Sequence, residues 1–63
     1  MKKSLIEAHA EAKRMSEKFP NVIYYVMDKP RKHAGVYSSE WSRRELILEG
    51  WHTVARYMNG KEI

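Results

Sequence analysis

Apolar residues recur at helical spacing over the first twenty positions. At 100° per residue, Leu5, Ala8, Ala12, Met15 and Phe19 fall within one stripe about 80° wide, while Glu7, Glu11, Lys13, Arg14 and Lys18 lie outside it. Ser4 precedes the stripe, and Glu7 stands three residues on, so the pair predicts a capping box at the helix start. Phe19-Pro20 ends the helix, because the residue before proline is pushed out of the α region. Ile6 falls off the stripe, and His9 flanks it.

The pattern then changes period. Val22 to Asp28 is β-branched and aromatic, with Val22, Tyr24 and Val26 alternating against Ile23, Tyr25 and Met27. A strand apolar on both faces reads as central in its sheet. Lys29-Pro30-Arg31-Lys32-His33 is a basic turn, and Gly35 to Ser38 reads as a second, shorter strand completing a hairpin.

Two patterns compete in the last third. In one, a helix runs from Ser39 or Ser42 to Glu49 with Gly50 as its C′ residue, and Trp51 to Met58 is a third strand closed by Asn59-Gly60. In the other, a single helix runs from Glu40 to Met58 with Gly50 on its far side, at about 1 kcal/mol. The first is preferred, because Trp51, Thr53, Val54 and Tyr57 favour strands and a lone hairpin is marginal. The expected fold is therefore one small α+β domain over residues 1–63, α-β-β-α-β. Its three-stranded sheet has the order 2-1-3, by a right-handed crossover, and packs against the helices. The alternative is a helix, a β-hairpin and a long C-terminal helix. The helices are expected to cover one sheet face and leave the other showing tyrosines.

Length limits what such a chain can hold. A domain of 63 residues buries only about 60% of the surface of its unfolded chain, so most large apolar side chains are claimed by the core. There is no cysteine, so neither disulfides nor cysteine-based zinc sites can staple it. The apolar run Val22 to Met27 is far below the ~18 residues of a membrane helix. Glu7, His9 and Glu11 interrupt the region a signal peptide would need apolar. A soluble, cytoplasmic protein is the expectation.

Charge is unevenly placed. The net charge is +4, and the excess sits in residues 29–44, where Lys29, Arg31, Lys32, Arg43 and Arg44 meet only Glu40. Such a cluster attracts phosphates, and Tyr37 and Trp41 nearby could stack on bases. Its bland alternative is a solvated basic loop. Glu40 is four residues before Arg44, a favourable helical pair, whereas Glu45 and Glu49 repel mildly. His9, His33 and His52 match no metal spacing, and Ser38, Ser39 and Ser42 lack a nucleophile turn, so no metal, cofactor or catalytic residue is expected.

Two functional classes follow. One is a small non-enzymatic interaction protein that docks on another protein through an aromatic sheet face or edge (Tyr25, Tyr37, Trp41) with a basic rim. The other is a nucleic-acid-binding accessory protein using segment 29–44. Homodimerisation is a further way for so short a chain to complete its core. Cations sharing one face free of acids would favour nucleic acid, and interleaved Glu45, Glu49 or Glu62 would favour protein docking or a simple solubility role.

Overall fold

The computed structural model describes residues 3–29, 33–38 and 40–63. It is a small α+β domain: α1 (Leu5–Lys18), β1 (Tyr24–Asp28), β2 (Ala34–Tyr37), α2 (Glu40–Leu48), β3 (His52–Met58) and β4 (Lys61–Glu62). The sheet is antiparallel throughout, in the order β2-β1-β3-β4. The expected order 2-1-3 is present within it, but the sheet has four strands, not three. The reason is the Asn59-Gly60 pair, which closes a two-residue hairpin with both residues at positive φ, 55° and 77°. Such a turn returns the chain along β3 and adds a strand instead of ending one.

Both helix termini follow local chemistry. The Glu7 N–H donates to Ser4 Oγ at 3.2 Å, and the Ser4 N–H donates to Glu7 Oε1 at 3.3 Å, which completes the capping box. At the end of α2, Gly50 takes φ 96°; its N–H reaches the Ile47 carbonyl at 3.1 Å, and the Trp51 N–H reaches the Leu46 carbonyl at 3.0 Å. This is a Schellman motif, with the side chains of Leu46 and Trp51 packed in one cluster, as that motif favours. It stops the helix at Leu48, so the single-helix reading of residues 40–58 does not hold.

Alternation along β1 divides the core into two layers. Tyr24 and Val26 join Ala34, Ala55 and Tyr57 beneath α1, where Ala8 and Ala12 are fully buried. These small residues let α1 approach a sheet face that carries large ones. Leu5 and Phe19, at the two ends of the expected stripe, are largely exposed, while Ser16 is fully buried. Its hydroxyl donates to the Lys13 carbonyl at 2.8 Å and accepts the Gly60 N–H at 2.9 Å, tying the β3–β4 turn to α1.

Tyr25 and Met27 point the other way, to a second cluster with Trp51, Ile23, Tyr37 and Leu46. Leu46 brings α2 onto this face. The helices therefore lie on both faces of the sheet, contrary to the expectation of one covered face. A bulge separates two registers of β1 against β3: Val26 pairs with Ala55 and Met27 with Thr53, leaving Val54 as the extra residue.

Candidate functional site: a half-open sheet face

α2 covers only part of its sheet face. Cross-strand pairing sets a row from edge to edge: Tyr37 opposite Tyr25, Tyr25 opposite Arg56, and the Ile63 N–H bonded to the Arg56 carbonyl at 2.9 Å. Tyr37 and Tyr25 are covered or half-covered, whereas Arg56 and Ile63 are exposed. Met58, two residues beyond Arg56 on β3, shares the same face, and Lys61 is its partner on β4. The open half thus presents Ile63 at 55% exposure, Val54 at 42% and Met58 at 37%, with Arg56 and Lys61 among them.

A groove of about 520 Å³ runs between this open half and α2. Tyr25, Thr53 and Arg56 line its floor, Glu40 and Arg43 one wall, and Glu62 and Ile63 the other. The α2 wall is a closed polar network. Tyr25 Oη donates to Glu40 Oε2 at 2.7 Å, and Arg43 Nε donates to the same oxygen at 3.0 Å. Arg43 Nη2 grips the other oxygen, Glu40 Oε1. The Arg43 guanidinium also lies 5.1 Å from the Tyr25 ring centroid, in cation–π range.

Titration behaviour follows from this network. Hydrogen bonds from Arg43 and then Tyr25 hold the Glu40 carboxyl down at about 2, against an ordinary 4.5. The hydrogen bond to Glu40, reinforced by burial, pushes the Tyr25 phenol up, and Arg43 is raised by its bond to Glu40. On the α1 side, burial raises Tyr57, whose hydroxyl lies 2.8 Å from His9 Nδ1. A carboxylate held so low and bonded by three donors is a poor proton acceptor at neutral pH.

The candidate residues that lie among the described ones do not converge on one patch. Arg43 is part of the groove wall. Arg44, 77% exposed in its side chain, sits 3.8 Å from Glu40 on the outer side of α2. Lys29 follows the far end of β1, about 13 Å along the strand from Tyr25. Arg31 and Lys32 lie outside the described residues. Tyr25 is buried and Tyr37 is half-buried, its ring edge-on to Trp51 at 6.1 Å, so neither forms an open aromatic face. Of these three aromatics Trp41 is the exposed one, at 71%, but on α2 and not on the sheet.

No protein family, curated protein or solved structure matches the chain. The site therefore rests on its own geometry. Among the described residues, no three His, Asp or Glu side chains cluster as metal ligands, and no helix is long and apolar enough to cross a membrane.

Arg56, Met58, Lys61 and Ile63 were not among the expected site residues. The signal that could have found them was the Asn59-Gly60 pair. A two-residue hairpin there places Lys61 opposite Met58 and Ile63 opposite Arg56 by counting alone.

Proposed function

We propose that this is a non-enzymatic interaction protein that docks on another protein through the open half of the α2-side sheet face. The observation that carries the reading is the set Val54, Met58 and Ile63, exposed with Arg56 and Lys61 among them on the part of the sheet face that α2 leaves open. Burying such a patch stabilises a complex by roughly 25 cal/mol per Å² before the costs of association. Arg56 and Lys61 supply the basic character, standing among the apolar residues and not around them. The sheet edges offer less: β4 has two residues, and the Ala34 N–H on β2 is taken by the Lys3 carbonyl at 3.0 Å. Docking by the face rather than by an edge is therefore the version supported. A cytoplasmic setting belongs to the same proposal and rests on the sequence reading.

A second reading, nucleic-acid contact, is favoured by one observation. Trp41 and Arg44, three positions apart on α2, are both strongly exposed and offer a stacking ring beside a cation. Against it, Glu40 stands between Arg43 and Arg44, and Glu62 lines the groove with Arg56.

Affinity capture from native lysate separates the two. Partners retained after nuclease treatment, and lost with the Met58→Asp/Ile63→Asp variant, are the expected result. Loss on nuclease treatment, or on changing Trp41 and Arg44 alone, would transfer the function to the outer side of α2.

A further inference from the structure

We infer that Asn59-Gly60 is a site of spontaneous isoaspartate formation, held shut in the fold by Ser16. The sheet needs this pair as it stands. Asn59 and Gly60 close the β3–β4 hairpin at φ 55° and 77°, a region that asparagine and glycine tolerate best. A Cβ at position 60 would also meet the Glu17 side chain at 2.5 Å. The same pair is chemically labile, because glycine carries no side chain to shield its nitrogen from the neighbouring amide. Asn59 is exposed, so water reaches it. Asn21, the other asparagine, precedes β-branched Val22, whose side chain shields the nitrogen.

The reaction needs only water. The Gly60 nitrogen attacks Cγ of Asn59: an N–Cγ bond forms, the Cγ–Nδ2 bond breaks, and the proton of the nitrogen leaves with Nδ2 as ammonia. Water then opens the resulting imide to aspartate or, with the chain rerouted through the side chain, to isoaspartate. To start, the nitrogen must release its hydrogen and swing toward the Asn59 side chain. In the fold that N–H donates instead to Ser16 Oγ at 2.9 Å, and Ser16 is fully buried on α1. The serine hydroxyl itself donates to the Lys13 carbonyl at 2.8 Å, which leaves its oxygen to accept. Ring closure therefore waits on local opening of the turn. Isoaspartate adds a methylene to the main chain of a two-residue turn, which upsets the Met58–Lys61 pairing and brings a negative charge. β4, which carries Lys61, is then released, and with it Ile63 and its bond to Arg56.

The test incubates the full chain in mildly alkaline buffer, native and urea-unfolded. Isoaspartate is read in the tryptic peptide 57–61 by mass spectrometry and by isoaspartyl methyltransferase labelling. The unfolded chain is expected to accumulate it at Asn59 and not at Asn21, and the native chain about tenfold more slowly or less, as local opening dictates. Ser16→Ala should raise the native rate about tenfold, the worth of one such hydrogen bond. Gly50→Ala, a loss of stability far from the turn, should leave that rate unchanged. The isolated isoaspartyl form should lose amide protection at Ile63 while Val26 keeps it. In the unaltered chain, which needs no variant to fold, the Gly60 amide should exchange slowly. No isoaspartate at Asn59 in the unfolded chain, equal native and unfolded rates, or Gly60 exchange at the unfolded rate would each overturn the inference. So would acceleration by Gly50→Ala equal to that by Ser16→Ala.

Discussion

Glu40 sits where three donors meet, and that arrangement sets a pH dependence. Its carboxyl is depressed from 4.5 to about 2, first by Arg43 and then by Tyr25. A depressed carboxyl contributes stability that is present above its unfolded value and lost as pH falls through the folded one. Stability should therefore decline between pH 4.5 and about 2, and Glu40→Gln should flatten that part of the curve. Thermal melts at stepped pH check this, and added salt should shrink the effect because Glu40 is half-exposed. Ser16 provides a test at the same scale. Ser16→Ala removes the acceptor of the Gly60 N–H, so a loss of about 1–3 kcal/mol is expected in urea unfolding. The helical stripe did not reveal Ser16, because its value depends on a turn 44 residues away.

At the scale of elements, the ends of the helices were the most legible features. Ser4 with Glu7, and Gly50 after Leu48, act through bonds within a few residues, so local sequence suffices to place them. Gly50→Ala should cost about 1 kcal/mol, since a Cβ in the left-handed region is strained even though nothing lies within 4 Å of it. The measurement is a denaturant midpoint shift at unchanged slope. α2 buries no residue fully and packs on the sheet through Leu46, beside the bonds of Glu40 to Tyr25 and of Arg43 to Thr53. Leu46→Ala is therefore expected to release α2 before the rest of the domain opens, seen as lost amide protection over residues 43–51 while Val26 and Ala55 stay protected. Strand β4 was missed because two residues carry no period of their own. Only its pairing with Tyr57 and Met58 makes it a strand.

At the scale of the whole molecule, the sheet is shared by two thin cores. Met27 is fully buried in the α2-side core, so Met27→Ala should cost about 2–5 kcal/mol. In a domain this small each kcal/mol lowers the melting temperature by about 4–8 °C, readable by circular dichroism. Length and net charge mattered differently from expectation. The short chain does leave apolar surface unfilled, but on one half-face and not as an aromatic sheet. The cations on that half-face are Arg56 and Lys61, which lie outside segment 29–44. The sequence alone determined the α+β class and the central place of β1 and favoured the helix–stop–strand ending, because each follows from periodicity or from bonds between near neighbours. Tertiary structure decided which face α2 would take, how Glu40 would join Tyr25 and Arg43, and which half-face would stay open. Those depend on register and on contacts between residues far apart in the chain, where a one-residue change in pairing moves every side chain to the other face.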